Sequence, residues 1–89
     1  MNISGELPLF IGSTQEEINR YKPAIIGQCD ASMRLVYSTD KIVDILAKDM
    51  TREEAIEFYE YNILGAYMGE MTPIYVSEHE SIYDFVIPD

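Results

Sequence analysis

The stretch PAIIGQCDASMRLVYSTDKIVDIL, residues 23 to 46, changes its hydrophobic period halfway along, and that change decides the fold. Residues 24 to 29 and 33 to 37 read as two short strands rich in Ile, Val and Tyr, joined by a tight turn at Asp30-Ala31-Ser32. From Ser38 or Thr39 the period lengthens. Ile42, Val43, Ile45 and Leu46 recur at the spacing of one helical face, Lys41, Asp44 and Lys48 fall on the water side, and the hydroxyl caps the first turn.

Outward from this unit, two stretches match the capping box, in which a Thr side chain accepts from a first-turn N–H and a Glu three residues on reaches back. Thr14-Gln15-Glu16-Glu17 opens a short helix through about Tyr21 that Pro23 ends. Thr51-Arg52-Glu53-Glu54 opens the longest helix, to about Leu64, with Ala55, Phe58, Tyr59, Asn62, Ile63 and Ala66 at core-facing spacing. On that face the Asn62 amide needs hydrogen-bond partners, because a bare buried amide costs about 1–3 kcal/mol. Asp49 and Met50 leave room only for a sharp corner between the two helices.

Beyond the long helix, YNILGAYMGEMTPIYV (residues 61 to 76) reads as a bend followed by a third strand at 73 to 76. Gly65 or Gly69 suits a left-handed helix-ending position, and Thr72-Pro73 enforces an extended entry. A recognition loop with Tyr67 and Met68 as anchors and Glu70 as rim charge is the functional alternative. Residues 77 to 89, SEHESIYDFVIPD, form an acidic C-terminal strand, around Ile82 to Ile87, or a tail. The expected architecture is one α+β domain over residues 1–89: a small antiparallel sheet of three or four strands packed against two central helices, with a short N-terminal helix.

The strings VYSTDKIVDIL, MTREEAIEFYEYN and GAYMGEMTPIYV, in this order, resemble a pattern shared by small uncharacterised phage and prophage proteins. In that pattern an acidic Glu-Glu-Ala helix ends in Asn, and a Gly-Ala-aromatic-x-Gly-x-x-Thr-Pro segment follows. It covers residues 24–76. The resemblance implies a mobile-element origin and carries no activity.

Charge is unevenly spread along the chain. The net charge is −10, yet up to position 52 seven acids meet all six Lys and Arg residues. From Glu53 onward there are nine acids and no Lys or Arg. Such a surface repels nucleic acid and anionic membranes and attracts basic surfaces. A DNA-reading second helix would present Arg, Lys, Asn or Gln to the groove; here it presents Glu53, Glu57 and Glu60, so direct nucleic-acid binding is excluded.

Catalytic sets find no support in the residue inventory. His79 is the single His, Cys29 the single Cys, and no glycine-rich phosphate loop is present. Cys29 reads as a small half-buried apolar residue, without a disulfide partner or a thiolate metal cluster. Glu78, His79 and Glu80 are adjacent and point in different directions, a poor metal cage. The reading is therefore non-enzymatic, with no cofactor, metal or catalytic residue. The N-terminus lacks the basic and apolar regions of a signal peptide, and no apolar run reaches the ~18 residues of a membrane span, which predicts a soluble cytoplasmic protein.

What remains is a binding surface. Seven Tyr and no Trp, with Tyr59, Tyr61 and Tyr67 around an acidic helix, resemble the composition of partner-binding faces. Tyr59 is expected in the core and Tyr61 in water. The expected partner site comprises Glu53, Glu57, Glu60, Tyr61, Tyr67, Glu70, Glu78, Glu80 and Asp84. Carboxylates one helical turn apart lie ~5–6 Å from each other, comparable to successive phosphates. The functional expectation is a phage-type inhibitor, anti-CRISPR-like, that docks on the basic groove of a bacterial nucleic-acid-binding effector in the host cytoplasm. The alternative is a small phage structural or accessory protein acting as a homodimer or adaptor through open strand edges.

Overall fold

The computed structural model describes residues 7–66 and 68–78 of the chain. Helix α1 (Gln15–Tyr21) begins at Thr14, whose side chain accepts from the N–H of Glu17, and a 3₁₀ turn (Lys22–Ala24) carrying Pro23 follows it. Strands β1 (Ile25–Gln28) and β2 (Leu35–Ser38) form an antiparallel hairpin. The Cys29 N–H donates to the Arg34 carbonyl at 2.8 Å and closes the hairpin loop, in which Met33 takes a left-handed φ of 66°. Helix α2 (Thr39–Leu46) leaves β2 without a linker, because Ser38 ends the strand and caps the helix by accepting from the Lys41 N–H. Helix α3 (Arg52–Phe58) opens on the full capping box of Thr51 and Glu54. It runs on as a π-helical segment (Tyr59–Leu64), and β3 (Ile74–Val76) ends the described chain of elements.

The α+β class is as expected, with α2 and α3 as the central helices; the direction of the third strand is not. The order is β1-β2-β3, and β3 pairs with β2 in parallel, with Val36 opposite Ile74 and Ser38 opposite Val76. The sheet is therefore mixed. A parallel pair needs a crossover of a dozen residues or more, usually helical; α2 and α3, lying between β2 and β3 in sequence, supply it. The expected edge strand around Ile82 to Ile87 lies outside the described residues.

The buried core is Ile11, Tyr21, Ala24, Tyr37, Ile42, Val43, Leu46, Ala55, Tyr59 and Ile63, with partly buried Ile25 of β1 and Tyr75 of β3 packed against it. Tyr37 and Tyr75 share the helix-facing side of the sheet with ring centroids 6.1 Å apart, and Tyr59, at the start of the π-helical segment, meets Tyr75 edge-on at 5.8 Å. Edge-to-face contact sets the positive rim of one ring against the negative face of the other, which adds to the area buried. Two of the three buried tyrosines hold their phenol oxygens in hydrogen bonds: the Tyr37 oxygen accepts from the Ile11 N–H at 3.0 Å, and the Tyr59 hydroxyl lies 2.8 Å from Thr39 Oγ1.

The bend of residues 65 to 73 is built as a knot around Thr72. Its hydroxyl donates to the Gly69 carbonyl at 2.6 Å and accepts from the Met68 N–H at 2.9 Å. Gly69 takes φ +107°, the backbone region that side chains disfavour, whereas Gly65 is right-handed at φ −78°. Of the two glycines expected to turn the chain, Gly69 does so. Pro73 is buried at the entry to β3, and the Arg34 Nε donates to the Thr72 carbonyl at 2.6 Å, tying the knot to the hairpin.

Candidate partner-binding face

The long helix positions the candidate site, and its widened second half sets which residues share a row. In a π-helical turn the N–H bonds reach five residues back instead of four. Residues four apart consequently fall almost in line across the junction. One such row, Ala55, Tyr59 and Ile63, is buried. The next, Glu54, Phe58 and Asn62, is exposed, as is Glu53, and so are the rows Glu57–Tyr61 and Ile56–Glu60–Leu64. The expectation that Phe58 and Asn62 face the core is therefore corrected. It used the full width of the three-and-four pattern, whereas the buried stripe is one row wide, Ala55, Tyr59 and Ile63, so that Phe58 in the regular turns of α3 and Asn62 in the wider turns both lie in water. Tyr59 is buried and Tyr61 is 82% exposed, as anticipated for both.

Not all acids on this molecule are free to meet a partner. Arg20 pairs with Asp49 at 2.7 Å, Arg52 with Asp44 at 3.1 Å, and Lys41 with Glu78 at 3.4 Å. Asp40 accepts from the Glu78 N–H, Glu17 from Ser13, and Glu54 from the Thr51 N–H. The Glu17 carboxyl lies below the usual range chiefly because the Ser13 hydroxyl donates to it, Glu54 because of the Thr51 backbone N–H, and Glu78 because of the Ser38 hydroxyl. Among the described residues, Glu53, Glu57 and Glu60 enter none of these hydrogen bonds or ion pairs. The one cation of α3, Arg52, is already held by Asp44.

The nine expected partner-binding residues do not form one surface. Glu57 and Tyr61 line a groove of about 380 Å³ together with Met50, Glu54, Phe58 and Asn62. Glu53 lies one turn before Glu57 on the same side of α3, while Glu60 sits in the neighbouring row between Ile56 and Leu64. Glu70 belongs elsewhere, to a groove of about 280 Å³ with Leu7, Leu9, Met68, Gly69 and Met71. Glu78 is folded back on the start of α2 by Ser38 and Lys41. Tyr67, Glu80 and Asp84 lie outside the described residues. Sequence reasoning missed Met50, Phe58 and Asn62 as groove residues. It assigns Met50 only to the corner before the helix, and Phe58 and Asn62 to its core-facing side.

For other chemistry the structure supplies little. Among the described residues no three His, Cys, Asp or Glu side chains converge as a metal site, and no helix is long and apolar enough to cross a membrane. Cys29 is half-buried at the end of the hairpin, its thiol lowered by the Ser32 hydroxyl. Comparison with protein-family models, curated proteins and solved structures returns no match.

Proposed function

We propose that this chain is a non-enzymatic acidic binding protein of mobile-element origin whose α3 face docks on the basic groove of a bacterial nucleic-acid-handling protein. The observation that carries this reading is the row of free acid on the long helix. Asp44, Asp49 and Glu78 are paired with Arg52, Arg20 and Lys41, Glu17 and Glu54 serve their helix starts and Asp40 holds the Glu78 N–H, while Glu53, Glu57 and Glu60 enter no ion pair or hydrogen bond among the described residues and lie on one helix with an exposed tyrosine. Unneutralised carboxylates on a rigid helix present a fixed negative field, and such a field draws in a surface built to hold phosphates. A defence effector whose groove binds DNA or guide RNA is the partner class that this field fits, and occlusion of that groove is the inhibitory act.

The competing account, assembly through open strand edges, meets two structural obstacles. Strand β1 carries a bulge at Ile25/Gly27 that breaks the regular ladder, and β3 is three residues long with Pro73 before it. Short, bulged or proline-flanked edges are poor templates for another strand. The proposal is tested by incubating the protein with purified guide-RNA effectors and measuring their retention of labelled nucleic acid. Displacement that weakens as salt rises is expected, since salt screens exposed charges. No displacement from any effector at low salt overturns it.

A further inference from the structure

The groove beside α3 is more apolar than charge mimicry alone requires. Phe58 is 39% exposed, and Met50 and Tyr61 stand with it, while the Glu54 and Glu57 carboxylates and the Asn62 amide supply polar groups. Exposing a phenyl ring to water forfeits the stabilisation its burial would bring. Such a cost on a small domain is offset when a partner covers the ring.

Resting on the reading of α3 as the docking face, we propose that this groove receives a cationic amphipathic helix of the partner protein, its apolar stripe laid on Met50, Phe58 and Tyr61 and its Lys or Arg heads on Glu57 and Glu53. Three features select this occupant. The groove follows the helix from Met50 to Asn62, on the order of 15–18 Å at about 1.5 Å per residue, the length of about three turns of a facing helix. The rows that line it repeat every four residues, which matches the i, i+4 knobs of a helix and not the period of two of a strand. The charge complement is one-sided. Glu57 and Glu53 are unpaired among the described residues, and Arg52 is occupied by Asp44, so the same face of a second copy, laid on this one, would bring carboxylates against carboxylates. A nucleic-acid backbone would do the same. Long basic side chains satisfy both parts of the surface at once, because their methylene stems cover an aromatic ring while the charged head reaches past it to a carboxylate.

The test uses the intact protein, isotope-labelled for NMR, and two synthetic helical peptides of about 15 residues, the length at which an isolated helix begins to hold. One carries Leu on one face and Lys and Arg on the other; the second keeps every charge and replaces Leu by Ser. The Leu peptide is expected to bind at least about tenfold more tightly, to shift the amides of Met50, Phe58, Tyr61 and Asn62, and to lose about tenfold or more in affinity with Phe58→Ser or Tyr61→Ala. Tyr61→Ala alters a side chain that is almost wholly in water, so a change in its binding is not a folding effect. Equal affinity for the two peptides, abolished by Glu57→Lys, overturns the groove proposal and leaves the electrostatic reading standing. The proposal is also overturned if the same amides shift on dilution of the protein alone, which identifies a second copy as the occupant. Equivalent shifts with a DNA oligonucleotide, or no binding of either peptide, overturn it as well. Because these outcomes are read on peptides, they are independent of whether any effector is displaced.

Discussion

Replacing Tyr37 by Phe removes one oxygen atom and asks what pins the N-terminal segment to the sheet. Tyr37 is completely buried, and its phenol accepts the buried Ile11 N–H at 3.0 Å across 26 residues of chain. In the Phe variant the ring keeps its place beside Tyr75, so the packing is preserved, while the Ile11 N–H loses its acceptor. An orphaned buried donor costs about 1–3 kcal/mol. A domain of this size is expected to have a total stability of about 4–13 kcal/mol, so the loss is a substantial fraction. At about 4–8 °C per kcal/mol for a domain of 60–100 residues, a loss of ~2 kcal/mol lowers Tm by about 8–16 °C. Thermal unfolding followed by circular dichroism measures this, and amide exchange at Ile11 should accelerate beyond the global change. An unchanged Tm with unchanged protection at Ile11 would refute the reasoning, because it would mean that this N–H is not held by the phenol.

Other perturbations have equally definite outcomes. Gly12 has φ +114°, and an added Cβ would stand 2.7 Å from Glu17 Cβ and 2.9 Å from the Ile18 nitrogen; Gly12→Ala should cost about 2 kcal/mol or more, read as a lower urea midpoint. Asn62→Leu should change stability by no more than about 0.5 kcal/mol, the range for exposed sites, and a large drop in Tm would return Asn62 to the core. Burial raises Tyr75 to about 12 and pushes Tyr37 and Tyr59 up as well. Between an unfolded-state value of about 10 and these raised values the folded state holds more protons, so stability is intact below about pH 10 and is lost as pH climbs toward 12. Phenolate absorbance should therefore rise together with loss of the helical signal, and ionisation of every tyrosine with that signal intact would contradict it.

Much of the local structure could be read from short-range chemistry. Thr14, Ser38 and Thr51 cap the helices they were expected to cap, because a hydroxyl at those positions answers N–H groups only three residues away. The hairpin and the Thr72-Pro73 entry are likewise local. Three features were not legible, each because it depends on distant partners or on a departure from regular geometry. The parallel pairing of β3 is fixed by the length of the α2–α3 crossover, a signal present in the strand-helix-helix-strand order but outweighed by the assumption that a small sheet stays antiparallel. The π-helical turns from Tyr59 onward leave no mark in composition, and the single buried row Ala55, Tyr59 and Ile63 leaves Phe58 and Asn62 in the groove instead of the core. The packing of Ile11 under Tyr37 joins segments with no pattern in common. For the candidate site, the exposure of Glu53, Glu57, Glu60 and Tyr61 followed from the helix itself, whereas the withdrawal of Glu78 to Ser38 and Lys41 and the separate setting of Glu70 required the tertiary fold.

The central claim is most directly tested by affinity capture from a bacterial lysate containing defence systems, with the wild-type chain, Glu57→Lys, Glu60→Lys and the Glu53→Lys/Glu57→Lys/Glu60→Lys variant side by side. Washes at low and high salt, and with added DNA or RNA, are analysed by mass spectrometry. The account predicts that the wild type retains a nucleic-acid-binding effector at low salt and releases it to high salt or nucleic acid. The triple variant should retain none while keeping its circular dichroism spectrum, and Glu57→Lys should weaken capture more than Glu60→Lys, because Glu57 lines the groove and Glu60 does not. Recovery of the chain alone, or of a partner indifferent to salt, nucleic acid and these reversals, would contradict it.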